Sequence, residues 1–241
     1  SHLVGKGRME EPDKIVEVLE GFFSQKLELK GKKLLITAGP TYEKIDPVRF
    51  IGNYSTGKMG FALAQVCADA GAEVLLVAGP VQQFIEHPRV KRIDVESAQQ
   101  MYDVVMKLFP MCDGAVLCAA VADFTPIVVA NQKLKREKDN LVIELKPTQD
   151  IASAVGKLKT EKQFLVGFAL ETNDEEAHAL DKMRRKNLDF IVLNSLNDAQ
   201  ACFGYDTNKI TILKASGDKK IFELKSKVDV AKDIINELAN Y

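Results

Sequence analysis

Residues 33–62 read KLLITAGPTYEKIDPVRFIGNYSTGKMGFA. An apolar run, Leu34 to Ile36, leads into a long polar loop that holds Gly52, Gly57 and Gly60, and an apolar helical pattern follows. Strand, loop and helix in that order aim backbone N–H groups and a helix N-terminus at one spot, which makes an anion site. Two common versions of such a site fit poorly. Gly52, Gly57 and Lys58 satisfy G-x-x-x-x-G-K, but Met59 stands where a Mg²⁺-binding hydroxyl is needed, and the strand ends well before Gly52. The dinucleotide fingerprint G-x-G-x-x-G is absent after the strand; Gly57 and Gly60 keep only its last spacing, which suits a helix packed closely on a sheet.

The rest of the chain alternates strands with helices. Strands are expected at Lys33–Ala38, Glu73–Ala78, Val90–Val95, Asp113–Val121, Leu141–Leu145, Phe164–Leu170 and Asp189–Asn194. Helices are expected over 56–70, from a Ser97 cap to about Phe109, over 150–159, from Asn173 or Asp174 to Lys186, and over 228–239. Lys209–Leu213 and Lys220–Leu224 read as a late hairpin around Ser216-Gly217. This order predicts an α/β fold: a Rossmann-like, three-layer α/β/α sandwich with a mainly parallel central sheet and a late β-hairpin. Residues 1–31 read as an N-terminal linker with a helix, its apolar rhythm carried by Ile15, Val16, Val18, Leu19, Phe22 and Phe23; residues 32–241 read as one domain.

Composition narrows the partners. The 241 residues carry a net charge of −1, so no general attraction to nucleic acid or to an anionic membrane is expected. No apolar run approaches the roughly 20 residues that span a bilayer, and no signal peptide is visible. Cys67, Cys112, Cys118 and Cys202 are scattered without a CxxC pair and read as reduced, mostly buried thiols of a cytoplasmic protein. His87 and His178 have no evident partners and read as surface residues.

The string ITAGPTYEKIDPVRFIGNYSTGKMGFALA resembles the opening motif of the phosphopantothenoylcysteine synthetase family, in particular the synthetase half of the bacterial bifunctional coenzyme A biosynthesis proteins. The resemblance runs on through AAVADFTP, KLKR, GFALET, RRKNLDFIVLN and TNKITIL, and so covers roughly residues 32–240. It implies a ligase that joins 4′-phosphopantothenate to L-cysteine. CTP activates the carboxylate as an acyl-cytidylate with loss of pyrophosphate, Mg²⁺ accompanies the triphosphate, and the cysteine amine then displaces CMP. It also implies a homodimer and a decarboxylase fused to, or working beside, the synthetase.

The same resemblance assigns residues. Asn53, Ala119, Ala120 and Lys133 match the positions expected around the reacting groups. Beside these, Gly39, Ser55, Gly57 and Gly60 can leave backbone N–H groups open to phosphate or acyl oxygens. Asp123, Lys133, Gln149, Asp150, Ile151, Ala152, Phe168, Lys182 and Lys186 match nucleotide contacts; Gln149 replaces the family proline, and Arg136 replaces a family lysine in KLKR. Asn194 ends a strand and can face the same site. No dedicated metal ligands are expected.

Read without the resemblance, each residue keeps a plainer alternative. Asn53 can make an Asx turn, the glycines can serve turn geometry, and the alanines can serve close packing. KLKREK can be a solvated loop, Phe168 can be a core residue, and Lys182 and Lys186, four apart on one helix face, can be an exposed basic stripe. Two rival functions use the same sheet: a nicotinamide- or flavin-binding oxidoreductase, and a regulatory domain that binds nucleotide without catalysis.

Overall fold

The computed structural model describes residues 11–16, 27–136, 140–171, 175–195 and 204–238. Its centre is a sheet of eight strands. The first is β1 (Lys33–Ala38), followed by a short antiparallel arm of β2 (Tyr42–Lys44) and β3 (Phe50–Gly52) that lies outside the sheet. Helix α1 (Lys58–Asp69), β4 (Glu73–Ala78), β5 (Val90–Asp94), α2 (Ala98–Leu108), a short 3₁₀ turn (Phe109–Met111) and β6 (Gly114–Leu117) complete the first half. A second outlying hairpin pairs β7 (Phe124–Pro126) with β8 (Leu145–Pro147). Then come α3 (Ile151–Leu158), β9 (Phe164–Glu171), α4 (Glu175–Arg185) and β10 (Phe190–Ser195). The chain closes with β11 (Thr207–Asn208), β12 (Ile210–Lys214), β13 (Lys219–Ile221), β14 (Lys225–Ser226) and α5 (Lys227–Leu238).

Across the sheet the order is β13-β12-β10-β9-β6-β1-β4-β5, with β12 antiparallel to both its neighbours, β10 and β13, and every other neighbouring pair parallel. The parallel strands therefore follow the doubly wound order, in which β1 and β6 are neighbours and the chain winds outward in both directions from them. Ile36 faces Leu76 on one side and Val116 on the other. In such sheets ligands bind beyond the carboxyl ends of the strands where the order reverses, here β1 and β6.

Period-two alternation divides the core between the two sheet faces. Leu34, Ile36 and Ala38 pack beneath α1 and α5 with Leu63, Ala64, Val230 and Ile234. Leu35 and Leu75 pack on the opposite face with Met101 and Val105 of α2, Val155 of α3 and Met183 of α4. Ser97 and Gln100 form a capping box at the start of α2, and buried Glu43 of the arm accepts a further bond from Ala98 N at 2.8 Å.

The expected three-layer fold and late antiparallel hairpin are present. The second hairpin departs from expectation, since 141–144 are not strand and β8 begins at Leu145. The apolar pattern of 141–145 does not serve the main sheet, and pairing with β7 sets the register. Likewise His87 is not without partners: its Nε2 lies 3.5 Å from Asp69 Oδ1, and its Nδ1 accepts from Arg89 N at 3.0 Å. His178 is exposed. Cys67 and Cys112 are buried and Cys118 is partly so, whereas Cys202, Asn173 and Asp174 lie outside the described residues, as do Val18, Leu19, Phe22 and Phe23.

Candidate active site

A cavity of about 690 Å³ opens where the switch point predicts it. Its floor is the carboxyl ends of β1, β6 and β9. Gly57 starts α1 in a left-handed conformation with φ 77°, and Phe61 N to Gly57 O (3.1 Å) is the first bond of the helix. Lys58, Met59 and Gly60, whose N–H groups precede that bond in the first turn, line the cavity. Ser55 Oγ accepts from Gly57 N at 3.4 Å, so that amide is occupied rather than open. Gly60 is required by proximity: an added Cβ would lie 2.5 Å from Ala38 Cβ.

Gly39 does not line the cavity. With φ 79° it turns the chain after β1, and its carbonyl accepts from Ala120 N at 2.9 Å. A Cβ on neighbouring Gly79 would sit 1.7 Å from Pro40 O, so the two post-strand loops are in direct backbone contact. This holds the Ala119-Ala120 segment: Ala119 N donates to Thr37 Oγ1 at 3.1 Å, and Thr41 N donates to Ala120 O at 3.3 Å. Both alanines line the cavity, and their small side chains leave the main chain approachable.

Asn53, at the base of the arm, also lines the cavity. Its Nδ2 donates to Ala120 O at 3.0 Å and to Val121 O at 3.3 Å. The side chain thus ties the arm to the Ala119-Ala120 segment instead of making the local Asx turn that sequence left open.

The β7–β8 hairpin brings distant residues together. Asp123 precedes β7, Thr148 to Asp150 follow β8, and antiparallel pairing closes them with Thr148 N to Asp123 O at 2.9 Å. Asp150 caps α3 through Ser153 N at 2.9 Å and pairs with Lys186 Nζ at 2.9 Å. Burial pushes the Asp150 carboxyl up, but Ser153 N–H, Lys186 and then Lys182 outweigh it and hold it below the usual carboxylate range. Lys182 Nζ donates to Phe168 O at 3.2 Å. Gln149, Ile151, Ala152, Phe168 and Asn194 join this wall. Asn194 Oδ1 is buried there without a hydrogen-bond partner.

Lys133 is not on the lining. It is exposed on a strap whose next residue, Leu134, is bound to the arm. Two lysines outside the expected set do line the cavity. Lys58 pairs with Asp206 at 2.6 Å, and Lys227, at the start of α5, is 8% exposed and donates to Tyr205 O. Lys58 stood in the motif as the lysine of a G-x-x-x-x-G-K match that fails at Met59. No local pattern singles out Lys227; topology brings it in from the last helix.

Four lysines (Lys58, Lys182, Lys186, Lys227) against two carboxylates (Asp123, Asp150) make the cavity locally cationic in a chain of net charge −1. Cys118 is the one cysteine on the wall among the described residues, and burial pushes its thiol up to about 12, against a smaller opposing pull from Lys227. It stays protonated near neutrality and is a poor nucleophile. Among the described residues no group of three or more His, Cys, Asp or Glu side chains could hold a metal ion, and no helix is long and apolar enough to cross a membrane.

Comparison with known proteins places the chain in a family and agrees with the fold. Residues 29–241 match the family described as DNA/pantothenate metabolism flavoprotein C-terminal domain. The coenzyme A biosynthesis bifunctional protein CoaBC of Haemophilus influenzae is 47% identical over 235 residues, covering 98% of this chain and 58% of that protein. The chain therefore spans less than two thirds of that relative's length. A relative from an unknown prokaryotic organism, named cysteine/cysteine sulfinic acid decarboxylase, is 52% identical and is covered to 67% of its length. The crystal structure of the C-terminal domain of a CoaBC protein superposes with a TM-score of 0.75 at 40% identity, covering 88% of this chain and 96% of that one. The resemblance read from the 33–62 motif is borne out, and the chain belongs to the DNA/pantothenate metabolism flavoprotein C-terminal domain family, alongside the C-terminal domain of bifunctional coenzyme A biosynthesis proteins.

Proposed function

We propose that this chain is the phosphopantothenate–cysteine ligase part of coenzyme A biosynthesis, working in the cytoplasm with CTP as co-substrate. The observation that carries the reading is the joining, in one cavity, of a helix N-terminus, four lysines and the Asn53–Ala119–Ala120 cluster. The relatives that share this domain are named for coenzyme A biosynthesis.

The reaction brings two anions together and then moves charge twice. A carboxylate oxygen of 4′-phosphopantothenate attacks the α-phosphorus of CTP, and the bond to the β-phosphate oxygen breaks. Pyrophosphate leaves with its electron pair, and Lys58, Lys227 and the first turn of α1 offset that charge. Lys182, Lys186, Asp150 and Asp123 hold the nucleoside end, where carboxylates suit ribose hydroxyls or the base amine. The cysteine amine then attacks the acyl carbon, CMP departs, and the ammonium proton is lost to water. In this reading Asn53 offers its amide to the acyl oxygen in exchange for one of its present carbonyl partners, Ala120 O or Val121 O. Positioning and preorganised donors supply the catalysis, and no protein nucleophile takes part.

Mg²⁺ would be brought by the triphosphate, whose oxygens it neutralises. Neither cavity carboxylate is assigned to it: Asp123 and Asp150 serve the nucleoside end, and Asp150 is already paired with Lys186 at 2.9 Å.

The active unit is a homodimer. The arm and the second hairpin expose Val48, Phe50, Phe124, Val128 and Val142, an apolar surface that a second copy would cover. The Haemophilus influenzae relative is named a bifunctional protein and extends well beyond the part matched here; a decarboxylase fused to, or working beside, this part is proposed as its second function.

Pyrophosphate release tests the reading. It should need CTP, 4′-phosphopantothenate and L-cysteine together, with ATP, UTP and GTP as the comparison set. A regulatory nucleotide-binding domain would bind CTP and release nothing, and an oxidoreductase would instead bind NAD(P)H or flavin.

A further inference from the structure

The Asp46 carboxylate is buried, with 1% of the residue exposed, yet it lies at the outer turn of the arm rather than in the cavity. Every lone-pair direction is used. Oδ1 accepts from Val48 N and Arg49 N, both at 2.8 Å. Oδ2 accepts from Arg49 Nε at 3.0 Å, from Arg49 Nη2, and from Leu134 N at 3.0 Å. Arg49 Nη2 also donates to Leu134 O at 2.6 Å. Both backbone groups of Leu134 are therefore gripped by one ion pair more than 80 residues away in sequence. A second tie, Ala130 N to Ile45 O at 3.0 Å, fixes the start of the same strap.

A turn needs only the Val48 and Arg49 bonds to close. The bonds to Leu134 do something else: they fix one residue of the basic run Lys133–Arg136 while its charged neighbours stay exposed. The arm that provides this grip is the one whose base carries Asn53 into the cavity. A free basic strap would sample many positions, and each lysine loses side-chain freedom when it meets a phosphate. Anchoring the backbone beforehand lowers the remaining cost of ordering.

We infer that Asp46 is a positioning residue: with Arg49 it holds Leu134 so that the Lys133–Arg136 strap is presented to nucleotide phosphates in a fixed register. This inference rests on the ligase reading and on Lys133 as a phosphate contact. Asp46 itself touches no substrate.

The test combines steady-state kinetics with limited trypsin digestion of the same full chain. Asp46→Asn replaces one acceptor with a donor that opposes Leu134 N–H. Leu134→Pro removes the N–H without touching the carboxylate. Both should raise the KM for CTP about tenfold while kcat changes less, as expected for loss of a charge-assisted contact. Both should speed cleavage after Arg136 at temperatures where circular dichroism shows each variant still folded, since loss of a buried charge pair also lowers stability. On a Lys133→Ala background, Asp46→Asn should raise the CTP KM no further. Unchanged CTP KM and unchanged strap cleavage in both variants would overturn the inference. So would a Lys133→Ala, Asp46→Asn pair whose effects simply add. If Lys133→Ala alone leaves CTP kinetics unchanged, the Lys133 assignment fails, and the inference with it. Pyrophosphate release by the unaltered chain separately reports whether the ligase reading stands.

Discussion

Gly60 lies against Ala38 so closely that a Cβ on Gly60 would come within 2.5 Å of the Ala38 Cβ, 3.0 Å of its Cα and 3.2 Å of Thr37 O. Two of these neighbours are backbone atoms of the central strand and have nowhere to go. Gly60→Ala must therefore lift the first turn of α1 from β1. Overpacking of this kind costs about 1–3 kcal/mol. The denaturant midpoint should fall, and nucleotide affinity should fall with it, because the displaced turn is the one that faces the cavity.

Asn53 holds Ala120 O and Val121 O through its amide. Asn53→Asp removes both donors and sets a carboxylate against two carbonyls. The second step should slow by 10²–10³, the effect of losing one preorganised donor worth about 3–4 kcal/mol. Activation of the carboxylate should be spared more than amide formation, so an acyl-cytidylate should accumulate in quenched samples. A wild-type product rate would remove Asn53 from the mechanism.

Lys182 and Lys186 differ in what they leave behind. Lys182→Ala takes away one charge near Phe168 O. Lys186→Ala takes away one charge and also releases the Asp150 carboxylate, its partner at 2.9 Å, into the nucleotide wall. The first should weaken CTP binding about tenfold and the second clearly more. Titration calorimetry at two salt concentrations checks the order. Equal losses would mean that Asp150 does not face the nucleotide.

Glu237 anchors the late hairpin to the last helix by pairing with Lys214 and Lys220 at 2.5 Å each. Burial raises its carboxyl, but the two lysines outweigh that and leave it below the usual value. A depressed folded value means that the contribution is full above the unfolded value of about 4.3 and is lost as pH falls through the folded one. Lys220 is half exposed, so screening discounts its share. Glu237→Gln should cost about 1–2 kcal/mol at pH 7, and the difference from the unaltered chain should shrink below about pH 4. A constant difference across that range would contradict the pairing.

The parallel core was legible because buried strands are continuous apolar runs, as in Glu73–Ala78, and because Ser97 marks a helix start by chemistry. The outlying hairpins were not. Strands β2, β3, β7 and β8 are three residues each, too short to show alternation, and their pairing depends on register rather than on burial. Most of the expected site residues meet in one cavity because motif and topology agree there. Gly39 and Lys133 do not line it: one acts through its carbonyl on Ala120, and the other sits on the strap tied to Asp46. Lys227 escaped notice because only the fold carries a lysine of the final helix back to the ends of β1 and β6.

The most direct test follows one turnover on the purified chain. CTP, 4′-phosphopantothenate and L-cysteine are mixed, quenched at intervals, and analysed by mass spectrometry for both small molecules and intact protein. Equal amounts of CMP, pyrophosphate and 4′-phosphopantothenoylcysteine, with the protein mass unchanged at every time point, are the predicted result. An acyl or nucleotidyl adduct on the protein, or product formed without cleavage of CTP, would contradict it.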